Sequence, residues 1–395
     1  MLEKMASMTE PVAIKSFGYP VANGPERVLV IATRRIGDVL LVTPLIHSLK
    51  QAWPESIIDV LVFRNTGAIL EGNQDIAKLI EVETKSGFKH NVKLLRQIYR
   101  RYNLAVSSLA GDRPNIYAFL ASAKRISLIS DQDSNYALKR RMNQGWAMLD
   151  DINTHTVEQN LALARVLNIE PVRDVVPPYA NMSGKEKNRI LGHDRSEKPY
   201  AVIHPFPKWP YKQWTTKAWR ELIAWIVGRG MAVILTGGPD KVEQAFCEEL
   251  TAGFEADVNN LAGKLSFGEI TNVVSSSAVF IGPDTSVTHL AASTGVPVVA
   301  IYGPSNPVKW GPWPKGFNDT VSPFQMYSST PQRVGNVCLV QGAYLPDNCV
   351  PCREEGCERH RQSRSKCLDG LGVSVVIEEI KRSLQERPAS SEDLL

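Results

Sequence analysis

The chain has 395 residues, a formal net charge of +4, and 43% hydrophobic and 22% charged residues. This composition fits a globular protein of ~2 domains. It excludes a helical membrane span, since no run of ~18 apolar residues occurs, and so small a charge gives no reason to expect a nucleic-acid partner. Residues 1–25 hold two lysines and lack the apolar core of a secretory signal. They read as a flexible N-terminal extension, and the expected setting is a reducing cytoplasm. Residues 27–33 (RVLVIAT) form an apolar run of strand length, followed by a turn, Arg34-Arg35-Ile36-Gly37-Asp38. Apolar residues then recur at helical spacing over 39–53, with Pro44 early in the run. Residues 57–63 read as a second strand, and 76–82 contain a third. Val92, Leu95, Tyr99 and Tyr102 repeat as one helical face. Residues 104–109 and 123–130 return as strands. Strands alternating with helices predict a parallel sheet covered on both faces. No G-x-G-x-x-G follows the first strand, which counts against a dinucleotide fold.

The Pro-rich stretch 171–178 (PVRDVVPP) opens a linker that ends near residue 198. The same alternation then restarts. Strands are expected at 200–204 and 231–236, with a Pro-rich loop at 205–211. Helices follow Thr215-Thr216, span 242–250, and follow the cap residue Ser266. The densest stretch is 278–306, AVFIGPDTSVTHLAASTGVPVVAIYGPSN. An apolar strand is broken by Gly282-Pro283. Asp284, Thr285 and Ser286 are all suitable helix caps. A short helix and a second buried strand follow. A helix N-terminus at the carboxyl end of a strand offers unpaired N–H groups and partial positive charge to an anion. The same pattern also serves an ordinary βαβ unit.

Four motifs resemble the bacterial heptosyltransferases of glycosyltransferase family 9. They are R-x-G-D-V-L-L-x-T-P from Arg35 to Pro44, K-x-W from Lys212 to Trp214, D-T-S-x-x-x-H-L from Asp284 to Leu290, and Y-G-P-S from Tyr302 to Ser305. The resemblance implies an α/β fold of the GT-B type, two Rossmann-like domains facing across a cleft. The expected organisation is an extension at 1–25, an acceptor-binding domain at 26–178, a nucleotide-sugar-binding domain at 179–335, and a Cys-rich segment, C-terminal helix and tail at 336–395. The implied reaction is inverting transfer of heptose from ADP-heptose to the inner core of lipopolysaccharide. Its acceptor is a lipopolysaccharide core or lipid A-Kdo at the membrane surface, so the enzyme is expected at the cytoplasmic face of the inner membrane. Alternatives are a GT-B enzyme for another nucleotide sugar or acceptor, a sugar-nucleotide epimerase, and a non-catalytic nucleotide binder.

Inverting transfer needs a base near the attacking hydroxyl and groups that hold the departing diphosphate. The family match gives the first role to Asp38; the plain alternative is a helix cap for 39–49. No metal cofactor is implied for catalysis, so protein groups carry the phosphate charge. Lys212 is the expected cation. Thr285, Ser286 and the helix amides supply hydrogen bonds, His289 is a candidate for phosphate or ribose, and Asp284 is expected to fix the turn. Asp240, after Gly237-Gly238-Pro239, is a candidate for the ribose hydroxyls. Arg34 and Arg35 are candidates for the acid groups of the acceptor. Six Lys/Arg and no Asp/Glu lie between Lys85 and Arg101, a distribution that fits an anionic surface or a solvated helix face. Five of the six cysteines lie between Cys338 and Cys367. Cys349, Cys352, Cys357 and Cys367 have the makings of a structural zinc or iron site, or of free thiols. Lying outside the motifs, this cluster is expected to support stability rather than chemistry. The amphipathic run 371–384 is expected to pack back on the N-terminal domain, with a disordered tail from Gln385.

Overall fold

A computed structural model describes residues 13–19, 23–84, 88–192, 198–343 and 349–385. It forms two compact units. The first holds the described residues up to Ile69 with Asn73–Val176 and Asn318–Ser322, and the second holds Leu70–Gly72, Pro177–Phe317 and the described residues from Pro323 onward. The Cys-rich segment is part of the second unit.

The first unit is built on strands β1 (Ile14–Lys15), β2 (Arg27–Ile31), β3 (Ile57–Phe63), β4 (Lys78–Val82), β5 (Leu104–Ser107), β6 (Arg125–Ile129) and β7 (Gly145–Met148). Their order is β1-β7-β6-β5-β2-β3-β4, and every pair is parallel except β1 with β7. Val28 to Ile31 are fully buried, as expected of a strand covered on both faces. Strand order reverses at β2, which lies between β5 and β3. The crevice at the carboxyl end of β2 is therefore the topological switch point, and the turn carrying Arg34 to Asp38 leaves from it. Ile14–Lys15 pairs with Trp146 and Ala147. Part of the stretch read as a loose extension is thus an edge strand.

The apolar run 39–53 is two helices, Ile36–Leu40 and Thr43–Ala52. Pro44, in the first turn of the second, needs no N–H partner there. The basic helix, Phe88–Ile98, has the expected period but another buried face. Leu94 and Ile98 are buried, whereas Leu95 and Tyr99 are exposed. Tyr102 is buried beyond the helix end, its hydroxyl donating to Asp59 Oδ2 at 2.7 Å.

The second unit holds β8 (Tyr200–Ile203), β9 (Ala232–Leu235), β10 (Val258–Asn260), β11 (Val279–Pro283), β12 (Val298–Tyr302), β13 (Gln332–Val334) and β14 (Val337–Gln341), in the order β10-β9-β8-β11-β12-β14-β13. All are parallel except the β13–β14 hairpin. Its switch point lies between β8 and β11. The sequence reading did not identify β7 or this hairpin, which are short runs without clear alternation. Caps act where expected: Thr215, Ser266 and Thr285 each accept a backbone N–H from the first turn of their helix. Gly295 closes the helix Ser286–Thr294 at φ +89°, a left-handed conformation that glycine adopts without steric cost.

Trp214 and Trp219, both fully buried, meet edge to face at 5.0 Å. The C-terminal helix Val373–Gln385 buries Val376 and Ile380 in the same core. It therefore belongs to the second unit and not, as expected, to the first. Its amphipathic pattern demanded an apolar partner without saying which. Gln385 is its last residue, and the tail beyond lies outside the described residues.

Candidate active site

Asp284 follows β11 directly, at the switch point of the second sheet. Its carboxylate is 8% exposed. Oδ2 accepts from the Lys212 ammonium and from Ser305 Oγ at 2.6 Å. Oδ1 faces His289 Nε2 at 3.9 Å. The Tyr302 hydroxyl is 3.4 Å from Oδ1 but only 2.7 Å from the Trp310 carbonyl, to which its single hydrogen is better committed. Burial works to raise the Asp284 pKa, but the Lys212 ammonium, with His289 and Ser305, overrides it, and the net shift is downward. Burial also pushes the His289 pKa down to about 4. His289 is therefore neutral near pH 7, and the counter-charge at that pH is Lys212.

Lys212 ends a short 3₁₀ turn, Pro210–Lys212, directly after the expected Pro-rich loop. Its side chain is 19% exposed. The structure thus places it as the partner of Asp284 rather than as a lone surface cation. An ammonium has three N–H donors, so one bond to Asp284 aims the group and leaves others for a ligand. Thr285 is the N-cap of Ser286–Thr294 and accepts from Thr288 N at 3.4 Å. Thr285 and Ser286 are half-buried at the opening of that helix, while His289 is buried behind Asp284 and its Nδ1 has no hydrogen-bond partner among the described residues. Lys212, Asp284, Thr285, Ser286 and His289 therefore gather at one end of one sheet.

Asp240 stands apart as the exposed N-cap of Lys241–Thr251, where Oδ1 accepts from Val242 N at 2.8 Å. The sequence reading assigned no role to Tyr302 or Ser305, although both stand in the quoted Y-G-P-S motif. It also passed over His204, which follows β8. Burial lowers the His204 pKa to about 4, and its Nδ1 lies 3.1 Å from Thr236 Oγ1.

In the first unit, Asp38 lies in the first turn of Ile36–Leu40, whose N-cap is Arg35. The cap role considered for Asp38 does not hold. Arg34 Nη1 is 3.4 Å from Asp38 Oδ1, with the Asp38 side chain 13% exposed. Arg34 and Arg35 are both exposed.

Cys349, Cys352, Cys357 and Cys367 are free thiols of the Cys-rich segment: Cys367 is buried, Cys349 and Cys352 are half-buried and Cys357 is exposed. Burial raises the Cys367 thiol to about 12, with smaller upward contributions from Cys352, Cys357 and Cys349. Lys366 N donates to Cys357 Sγ at 3.4 Å. Among the described residues, no three His, Cys, Asp or Glu side chains stand in a metal-binding arrangement. Cys338 is separate from the four, lying in β14 with its thiol 3.1 Å from Glu379 Oε2.

The family model for glycosyltransferase family 9 (heptosyltransferase) matches residues 116–333. Lipopolysaccharide heptosyltransferase 3 of Escherichia coli is 30% identical over 289 residues, covering 70% of this chain and 83% of that protein. The structure of E. coli ADP-heptose LPS heptosyltransferase II superposes with a TM-score of 0.67 at 19% identity, covering 91% of this chain and 99% of that one. The iron-containing dodecameric glycosyltransferase TibC of enterotoxigenic E. coli reaches a TM-score of 0.51 at 16% identity, covering 91% and 77%. With a family model across more than half of its length and a relative at this identity, the chain belongs to glycosyltransferase family 9, the heptosyltransferases.

Proposed function

We propose that this heptosyltransferase moves heptose from ADP-heptose to the inner core of lipopolysaccharide, with inversion at the anomeric carbon. The observation that supports this reading best is the Lys212–Asp284–Ser305 cluster beside the helix opened by Thr285 and Ser286. It sits where an α/β sheet binds a nucleotide, in a chain whose relatives are named for this transfer. Lys212 and the Thr285–Ser286 turn take the diphosphate, and Asp284 holds Lys212 in place. Asp240 serves the ribose through the oxygen not used in capping. His289, neutral behind Asp284, supports that carboxylate. Asp38 takes the proton of the acceptor hydroxyl. The hydroxyl oxygen forms the new bond to the anomeric carbon, and the old bond breaks with its electron pair leaving on the diphosphate. Arg34 and Arg35 meet acid groups of the acceptor.

The acceptor is carried at an anionic membrane surface. No helix among the described residues is long and apolar enough to cross a membrane. The first unit instead offers a basic, partly apolar face. Tyr99, Ile116 and Phe119 are 59%, 52% and 41% exposed, with Arg100 over the Phe119 ring at 5.9 Å. No Asp or Glu occurs between Lys85 and Gly111 or between Arg113 and Ser130. Such a face fits anionic headgroups at ~1 kcal/mol per Lys or Arg. We also propose a structural zinc or iron held by Cys349, Cys352, Cys357 and Cys367, four thiols within nineteen residues of one segment.

Incubation with ADP-heptose, with and without a heptose-deficient lipopolysaccharide, tests the function. ADP release that requires the acceptor is the expected result. Conversion without acceptor would indicate an epimerase, and no conversion in either arm would indicate a binder.

A further inference from the structure

The Cys-rich segment was expected to lie outside the chemistry, yet it touches both loops that complete the Asp284 cluster. Ser365, 2% exposed, donates through Oγ to the Tyr211 carbonyl at 2.6 Å, one residue before Lys212. Gly356 is packed so closely on this turn that an added Cβ would lie 2.8 Å from Tyr211 Cβ. The Arg361 guanidinium covers the Trp209 ring at 5.0 Å, and Trp214 Nε1 donates to the Leu371 carbonyl at 3.0 Å. The loop of Lys212 is thus held on both sides.

The second loop is clasped by the same segment. Arg353 N donates to the Pro304 carbonyl at 2.8 Å, one residue before Ser305. Arg353 makes this contact at φ +62°, a left-handed conformation that is costly for a residue with a side chain and persists where the surroundings demand it. Leu368 presses on Gly303, where an added Cβ would come within 2.7 Å of its Cγ. Lys212 and Ser305 are the two donors to Asp284 Oδ2. One segment therefore sets the positions of both.

We infer that the Cys-rich segment is a positioning element of the donor site, with Ser365 and the Arg353 amide holding the Lys212 and Ser305 loops against Asp284. This rests on the reading of that cluster as the diphosphate site. Removing the Ser365 hydroxyl leaves the Tyr211 carbonyl without its buried donor, and the turn shifts to recover one. Lys212 moves with it.

The test is Ser365→Ala, with Ser365→Thr as the conservative variant. Titration calorimetry with ADP, well below the melting temperature, should show affinity falling about three- to tenfold in the Ala variant and largely restored by Thr. The donor KM should rise while the acceptor KM stays unchanged, a split that mere loss of stability does not produce. In a Lys212→Ala background, Ser365→Ala should have little further effect on ADP affinity. Parent-like ADP affinity in a folded Ser365→Ala protein overturns the inference. If ADP binding depends on Lys212 but not on Ser365, only this inference fails; if ADP binding is indifferent to Lys212, the donor-site reading fails first. Should Ser365→Ala not fold, hydrogen exchange on the parent protein decides. Bound ADP should slow exchange at the Arg353 amide together with the Lys212 amide, and an unchanged Arg353 amide overturns the inference.

Discussion

Replacing Lys212 with alanine tests the charge pairing in the site and its ligand chemistry together. Asp284 is 8% exposed and Lys212 19%, so truncation leaves a buried carboxylate without its counter-ion. Breaking such a pair costs ~3–5 kcal/mol. Partial exposure of the lysine puts this case near the lower end, about 3 kcal/mol. For a unit of this size that corresponds to a fall in Tm of roughly 6–12 °C. The loss depends on pH. In the parent, the Asp284 pKa is lowered on folding, so its stabilisation is present above the unfolded carboxylate value of ~3.9 and is lost as pH falls through the lower folded value. Without Lys212, burial dominates and the folded pKa rises above the unfolded one. The deficit of the variant is then small below about pH 4 and grows as pH rises toward its new folded pKa. Calorimetric unfolding at pH 4.5 and 7.5 should show the larger Tm difference at pH 7.5. ADP affinity should fall roughly tenfold to a hundredfold, the scale of a charge-assisted contact. Adding Asp284→Asn should recover most of the stability and none of the ADP affinity. A Tm deficit equal at both pH values would refute the pairing argument, and unchanged ADP affinity would remove Lys212 from the donor site.

Asp38→Asn should keep ADP affinity and lower turnover ~10²-fold or more, as expected for a positioned base; turnover within a few-fold of the parent would exclude that role. Protein prepared anaerobically without chelator should carry close to one zinc or iron per chain by elemental analysis, and Cys352→Ser should lose it together with stability; metal-free parent protein would rule the site out. Tyr99→Ser with Phe119→Ser, and separately Arg96→Gln with Arg100→Gln, should each reduce sedimentation with anionic vesicles, the arginine pair by about tenfold or more. Equal binding of parent and variants would dismiss this face as the membrane contact.

What the sequence determined by itself was local. Buried strands such as those expected at 57–63 and 200–204 announce themselves as short apolar runs between breakers, and both were found, the second ending at Ile203. Thr215, Ser266 and Thr285 were legible as caps because a cap bonds within its own first turn. The motif residues were legible because each motif is contiguous. What remained open was every choice of partner across the chain. Periodicity over 92–102 predicted a helix with Leu95 and Tyr99 on its apolar face, whereas in the helix Phe88–Ile98 it is Leu94 and Ile98 that are buried. The C-terminal helix had an apolar face whose destination only packing could assign. Lys212 and Asp284 are 72 residues apart, and Ser365 and Tyr211 are 154 apart. No local pattern records such pairings, because they arise when strand order in the second sheet brings the ends of β8, β11 and β12 together. A lysine in a loop became a buried acid's counter-ion, and a cysteine-rich segment came to rest against that loop through the buried Ser365, because contacts distant in sequence brought them together.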